Sequence, residues 1–315
     1  AERALFHKHH LHQNTRLENE ILAMRKTLEV RDDFALRGRC EVYRADLKSM
    51  ASANRLHQGI NLRGHQVWGT YEHFQDLLVI RGQEADEDLW DIVEFFSKNS
   101  DPNIFKERHA LSQSEFRKLI QPLIRTGHIV QDFRGGFRTV VPKSDVDPVK
   151  LRKEYLRKMV ENFPVITLKQ LMRLAGTPFK PEELKSVLNG FEEDGTLIKG
   201  FLIEDLHEVC WGRKQLLEEA KDITSIRDFV LPPSDPIAPY FADIMKEKFG
   251  FGSAYLVFKN AEPVAAFKAN TRNKIIEVKD YEGSEKGWRI VKEFAWEHQM
   301  PLETELRIGG KKMTK

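Results

Sequence analysis

Residues 112–141 read SQSEFRKLIQPLIRTGHIVQDFRGGFRTVV, in which a helix signature is followed by a β-hairpin signature. Ser112 and Glu115 have the spacing of a capping box, in which each side chain accepts a hydrogen bond from the other residue's backbone amide. Apolar residues then recur at helical spacing until a glycine ends the pattern. Two alternating runs flank Gly135-Gly136, an arrangement typical of a β-hairpin. This stretch therefore predicts a helix that leads directly into a two-stranded hairpin.

Two further helical patterns precede this stretch, at residues 71–78 and 88–96. Pro122 lies within the pattern of the third helix, which it is expected to kink or shorten. Three helices followed by a hairpin is the element order of a winged helix, a helix-turn-helix domain with a β wing. Upstream, the glycine-punctuated residues 54–70 predict a long loop that leads into this unit.

The same element order is found again over residues 148–220. The predicted elements are a basic amphipathic helix at 148–162, a short helix capped by Thr167 and ending at Leu174, a helix that begins near Pro181, β-runs at 196–203 and 206–211, and a helix at 212–220. The sequence therefore predicts two winged-helix units in tandem.

The remaining residues favour strands over helices. The predicted elements are β-runs at 227–231, 254–259, 263–268 and 274–279, a tight turn at 260–262, a helix at 285–296 and a last strand at 303–308. Residues 231–240 predict an ordered loop, in which Ser234, Asp235 and Pro236 have structural roles.

These patterns predict an α+β, mainly helical fold with tandem winged-helix units and a small mixed β-domain. Apolar residues at helical spacing in residues 16–30 predict a helix. The first part of the chain is therefore interpreted as an N-terminal extension. The predicted boundaries are a helical extension at 1–60, a first winged helix at 61–145, a second at 146–221 and a C-terminal α+β domain at 222–315.

The composition excludes several classes of protein. Charged residues make up 31% of the chain, and no run of about 18 apolar residues or signal-peptide pattern occurs. The two cysteines, Cys40 and Cys210, indicate neither a disulfide framework nor a zinc site. The cluster His7, His9, His10 and His12 lacks the ligand spacing of a metal site and is interpreted as a solvated segment. The sequence thus predicts no metal, no cofactor and no membrane contact, and a cytoplasmic location (nucleoid-associated in a prokaryote, nuclear in a eukaryote).

The distribution of charge along the chain indicates nucleic-acid binding more strongly than the net charge does. The chain carries 50 basic and 48 acidic residues, yet residues 102–144 contain eight Lys or Arg against three acids. Cations that displace counterions from DNA bind it independently of sequence. Phe133 and Phe137 flank the glycine turn and are candidates for base stacking, although strand alternation places at least one of them in the core. The predicted DNA contacts are Arg117, Lys118, Arg125, Arg134, Arg138 and Lys143 in the first unit, and Lys150, Arg152, Lys153 and Arg157 on the first helix of the second unit.

Two motifs carry a resemblance to a known family. Residues 191–206, FEEDGTLIKGFLIEDL, resemble the winged-helix signature in the C-terminal half of Lhr-type (large helicase-related) DNA helicases. Residues 234–240, SDPIAPY, are similar to the Asp-Pro-x-x-Pro-Tyr loop that opens the next domain in that family. AlkZ-type DNA glycosylases share a related arrangement. The resemblance implies an accessory DNA-binding region, acting in repair or remodelling on duplex or forked DNA.

The sequence also lacks motifs that Lhr-type helicases and AlkZ-type glycosylases carry. No Gly-x-x-x-x-Gly-Lys-Ser/Thr phosphate loop occurs, so the chain is expected to be either a fragment of a longer helicase, with ATPase domains or another protein as partners, or a free-standing relative. The glycosylase element Gln-apolar-Gln or Gln-apolar-Asp has only Val130-Gln131-Asp132 as a poor match, so catalytic residues stay unassigned. A DNA glycosylase and a protein-interaction scaffold stay open as alternative functions.

Overall fold

The computed structural model describes residues 56–132, 134–202, 207–219, 226–272, 275–297, 301–303, 307–308 and 311–312. The predicted N-terminal helix, the His cluster and Phe133 lie outside these ranges. The α-helices in the described residues are α1 (Tyr71–Arg81), α2 (Trp90–Lys98), α3 (Pro102–Arg108), α4 (Gln113–Thr126), α5 (Pro148–Glu161), α6 (Leu168–Ala175), α7 (Pro181–Glu193), α8 (Lys214–Glu219), α9 (Ala242–Phe249) and α10 (Glu285–Glu297).

The strands pair almost entirely in antiparallel fashion. The strands are β1 (His57–Ile60), β2 (Gln66–Gly69), β3 (Ile129–Gln131), β4 (Phe137–Thr139), β5 (Val165–Thr167), β6 (Ile198–Gly200), β7 (Cys210–Gly212), β8 (Phe229–Leu231), β9 (Tyr255–Lys259), β10 (Glu262–Arg272), β11 (Ile275–Gly283), β12 (Leu302–Glu303), β13 (Arg307–Ile308) and β14 (Lys311–Lys312). Sheet orders are β2-β1-β3-β4, β5-β7-β6, β12-β11-β10-β9-β8 and β13-β14, and only β11 and β12 are a parallel pair among those described. The prediction of a mixed helical and β-sheet protein is confirmed.

The predicted helix and hairpin of residues 112–141 are both present. Ser112 and Glu115 form the full capping box at the start of α4. Gly127 ends the helix with φ of 86°, a left-handed conformation that a glycine adopts without strain. Strands β3 and β4 then pair with Ile129 opposite Thr139. The helix runs through Pro122 to Thr126, so Pro122 does not shorten it, and the alternative of a kink stays a prediction.

Upstream of α1 the structure differs from the predicted loop. β1 and β2 form a hairpin there, and β1 also pairs with β3. Gly59 is required in β1 because a Cβ atom at that position would lie 2.6 Å from the Phe74 ring on α1. A seven-residue helix, α3, was also missed, although Asp101 and Pro102 supply the cap and first-turn signals of a helix. The first unit therefore contains four helices and a four-stranded sheet, where three helices and a hairpin are predicted.

The second unit follows its predicted order closely. Thr167 and Gln170 form a capping box at the start of α6, and α7 begins at Pro181. Strand β7 begins at Cys210, later than predicted, and residues 203–206 lie outside the described ranges.

The C-terminal region contains strands near the predicted runs at 227–231, 254–259, 263–268 and 274–279, and the predicted helix at 285–296. The predicted last strand at 303–308 lies partly outside the described residues, and its two described pieces belong to different strands, β12 and β13. Asn260 and Ala261 both have positive φ, which makes the expected tight turn between β9 and β10. β10 is longer than predicted, with 11 residues. α9 and the 3-10 turn at Ala238–Phe241 were not predicted, because the proline-rich residues before them favoured a loop.

One hydrophobic core crosses the boundary between the units. It extends from Phe74 on α1 through Leu156 on α5 and Leu188 on α7 to Phe241 and Phe258 in the C-terminal region. A second cluster fills the space between α10 and the five-stranded sheet, and a third lies among α2, α3 and α4. Helix α1 thus packs on both units.

Arg152 on α5 forms hydrogen bonds to residues of both α1 and α7. Its guanidinium donates to both carboxylate oxygens of Glu183 on α7, at 2.9 and 2.8 Å. It also donates to the carbonyl oxygens of Ile80 at 2.8 Å and Pro178 at 2.6 Å, and lies 4.5 Å from the centroid of the Phe179 ring. Because the side chain is only 22% exposed, water replaces few of these contacts.

We expect Arg152→Ala to lower the free energy of unfolding by about 2–4 kcal/mol, because it leaves Glu183 and two carbonyls without their donor. Arg157→Ala on the same helix is the matched control. The Arg157 and Glu161 side chains are 46% and 38% exposed, so the loss should stay below about 1 kcal/mol. Urea unfolding of both variants measures the difference, and equal losses would contradict a central role for Arg152.

Candidate nucleic-acid interface

Helix α4 lies on the sheet through one face and leaves the other exposed. Phe116, Ile120 and Leu123 are buried on the side of α4 that faces the protein, and α4 packs against β1 and β3. At about 100° per residue, the exposed side chains on the opposite side fall within an arc of about 100°. We call this arc the cationic face; its members are Ser114, Arg117, Lys118, Gln121 and Arg125.

The charges of the cationic face are not neutralised by described residues. Arg117, Lys118 and Arg125 form no ion pair within the described part of the chain. The helix has one acid, Glu115, whose carboxylate accepts the Ser112 amide at 2.9 Å. The Ser112 hydroxyl, and then its amide, lower the pKa of Glu115. Glu115 therefore stays negatively charged in the capping box, but it forms no ion pair with the cations of this face among the described residues.

The β3–β4 turn presents one more exposed cation, Arg134. The Asp132 carboxylate accepts the backbone amides of Arg134 at 2.7 Å and Gly136 at 2.8 Å, which fixes the turn. Gly135 has φ of 88°, and a Cβ atom on Gly136 would lie 2.6 Å from the Asp132 carboxylate. Phe137 is 8% exposed and packs against the rings of Phe96 and Phe116. Of the two alternatives for Phe137, base stacking and a core position, the core position is therefore correct.

Other predicted contacts are engaged by the protein itself. The Arg138 guanidinium lies 3.9 Å from the centroid of the Tyr71 ring, although the side chain is exposed. Lys143 pairs with Asp76 on α1 at 2.5 Å. Their charge is thus partly used in holding β4 and the residues after it against α1.

The predicted cations of α5 fall into two groups. Lys150 and Lys153 are exposed and form no ion pair with a described residue. Arg157 pairs with Glu161 at 3.2 Å. The Arg152 guanidinium uses four of its five N–H donors within the protein, so we interpret this residue as structural. The cationic band predicted on this helix is therefore reduced to two lysines.

Sequence reasoning missed one buried polar residue near this surface, His57 on β1. Its side chain is 1% exposed, and its Nδ1 atom has no hydrogen-bond partner among the described residues. The Tyr71 ring lies 5.7 Å away, centroid to centroid. Burial first, and the charge of Arg138 second, lower the pKa of His57. The burial of His57 could have been predicted only if β1 had been recognised as a strand, because strand alternation places His57 and Gly59 on the same inward face.

This lowered pKa has a defined effect on stability. The unfolded chain takes up the His57 proton before the folded chain does, so stability falls as the pH decreases from about 6.5. We expect His57→Asn to reduce the loss of stability between about pH 6.5 and pH 5. Thermal melts of both proteins across this range test the effect, with His207→Asn, at an exposed position, as the control. Parallel pH profiles for all three would show that His57 titrates normally.

The described residues contain no group of three or more His, Cys, Asp or Glu side chains placed to hold a metal ion. Within the same ranges, no helix is long and apolar enough to cross a membrane.

Comparison with known proteins identifies the fold. No family model matches the sequence, and neither does any curated protein. Among solved structures, the DNA glycosylase AlkZ of Streptomyces sahachiroi is similar over 98% of this chain and 98% of its own, with a TM-score of 0.68 and 9% identity. At that identity the likeness establishes the overall fold alone. The resemblance to AlkZ-type proteins is thereby confirmed for the fold, whereas the resemblance to Lhr-type helicases stays a prediction.

Proposed function

We propose that this protein binds duplex DNA in DNA repair, with the cationic face of α4 against the phosphate backbone. The observation that carries this proposal is the set of three exposed cations on one side of α4, without ion-pair partners in the described part of the chain. Each phosphate that such a cation contacts releases a condensed counterion, which favours binding to any sequence.

In this proposal the two units act as tandem winged helices. α4 takes the place of the recognition helix in the first unit, and the β3–β4 turn with Arg134 forms the wing. The first unit then begins at β1, before the predicted boundary at residue 61, because β1 pairs with both β2 and β3. We propose residues 146–221 as the second winged helix and residues 222–315 as the C-terminal α+β domain.

The second unit is the poorer DNA-binding surface. Its corresponding helix, α7, carries five acids within or directly after it, and they repel phosphate. These acids are Glu182, Glu183, Glu192, Glu193 and Asp194. Lys150 and Lys153 on α5 are the cations of this unit that we propose as secondary contacts.

Arg117→Ala combined with Arg125→Ala tests the interface. We expect weaker binding to all duplexes alike, and a plot of log K against log salt that is shallower by about 2. Fluorescence anisotropy with a labelled duplex at several salt concentrations measures both quantities.

The matched control removes the same charge from α5 through Arg157→Ala and Lys158→Ala. Both cations lie next to glutamates of their own helix, so the salt slope should change by less than about 1. Equal effects in the two double variants would refute the placement of DNA on α4. Absence of DNA binding by the unaltered chain at low salt would reject DNA binding altogether and favour the protein-interaction scaffold.

Excision of a damaged base is a second candidate function. It is supported by the described activity of the AlkZ neighbour, a DNA glycosylase, together with the full-length likeness in fold. Enzymes of this class extrude a base and read it with buried polar and aromatic groups. In this chain His57, Tyr71 and Arg138 offer such groups next to the hairpin turn.

Abasic-site formation on duplexes that contain alkylated bases tests this function. Under this hypothesis the chain forms abasic product, and His57→Ala abolishes the product while leaving duplex affinity within about twofold. Asn189→Ala, which also removes a buried unpaired polar atom, is the control for a general loss of stability. Binding without product from any of the alkylated duplexes would leave the DNA-binding proposal and remove this one.

A further inference from the structure

We infer that the first unit reads DNA sequence, and that Gln121 is the residue that selects an adenine in the major groove. This inference rests on the proposed binding of duplex DNA by α4. It goes beyond that proposal because backbone contacts alone carry no sequence information.

Gln121 occupies the middle of the cationic face. Arg117 lies one turn before it and Arg125 one turn after it, each about 6 Å away along the helix axis. Since cations at both ends of such a segment contact phosphates, the side chain between them faces the floor of the groove. The position, rather than the residue type alone, makes Gln121 the candidate for base readout.

The Gln121 carboxamide is available for a ligand. The side chain is exposed and forms no hydrogen bond with a described residue. A carboxamide offers one donor and one acceptor in a plane, and this pair matches N7 and the N6 amino group of adenine. No other base presents that pair at the same edge, so such a contact discriminates among bases.

The surroundings of Gln121 fit a helix that enters a groove. α4 is 14 residues long, about 21 Å, and its outer side is not covered by another described element. Leu119 is 37% exposed and Pro122 is exposed at one flank of the cationic face. Apolar atoms at that flank suit the methyl group of a thymine, which makes A·T pairs the expected core of the site.

The experiment is a selection from duplexes with a randomised central segment, performed with the full chain and read by sequencing. We expect enrichment of a motif that contains a fixed adenine. Gln121→Ala should lose the preference at that adenine and about tenfold in affinity for the selected site. Its affinity for random duplex and its salt slope should stay unchanged, since no phosphate contact is removed.

Gln121→Glu is expected to change which base is preferred, and a purely structural role of Gln121 would not produce such a change. A carboxylate accepts from the N4 amino group of cytosine, so the selected base at that position should shift from adenine to cytosine. Arg125→Ala is the opposite control, because it should weaken binding to every sequence alike and leave the motif intact.

The possible failures are distinguishable. Duplex binding with no enriched motif, or an unchanged motif in Gln121→Ala, would overturn this inference and leave the proposed function standing. No binding to any duplex at low salt would overturn both. Because Gln121 is exposed, its variants should melt at the temperature of the unaltered chain, so a lost preference reports recognition and not unfolding.

Discussion

The Arg152 guanidinium is the interaction on which the arrangement of the two units depends. A charged group that is largely withdrawn from water is tolerated only when its donors are satisfied, and here Glu183 and two backbone carbonyls satisfy them. The carbonyl of Ile80 belongs to the last turn of α1, whereas Glu183 lies in the first turn of α7. One side chain on α5 therefore fixes the end of a helix in the first unit relative to two helices of the second, and the continuous core then fills the space between them.

In the described residues, the cations fall into two groups: those that pair within the fold, and those that are available to a ligand. Those near the joint between elements are paired, as with Arg152, and with Lys143 and Asp76. Those on the outer side of α4 have no described partner. A cation within 4 Å of a carboxylate is largely offset by that charge and adds little to the surface potential. Arg117, Lys118, Arg125 and Arg134 form no ion pair with described residues, so each contributes positive potential to the surface of the first unit.

Local signals account for most of what the sequence predicted correctly. The capping boxes at Ser112 and Thr167 and the glycine turn of the β3–β4 hairpin act within a few residues, so they are visible without the fold. β1 was missed although it forms a local hairpin with β2, because its glycines indicated a loop, whereas its pairing with β3 and the contact of Gly59 with Phe74 depend on tertiary packing. For the interface, helical period predicted the exposed side of α4. It could not predict that Arg152 meets Glu183 on another helix or that Arg138 lies over the Tyr71 ring, since both contacts depend on tertiary packing.

The Asp132 carboxylate shows how the fold and the proposed interface constrain each other. It is an acid at the tip of a cationic hairpin, where it would oppose phosphate, yet its carboxylate accepts hydrogen bonds from two backbone amides of the turn. An alanine at that position would raise the local positive charge and release the backbone that presents Arg134. Order in the turn therefore takes precedence over maximal charge, since a cation contributes to a defined contact only when its backbone is held in place. The same logic applies to α4, where Glu115 adds negative charge to the cationic helix and fixes the first turn from which the cationic face begins.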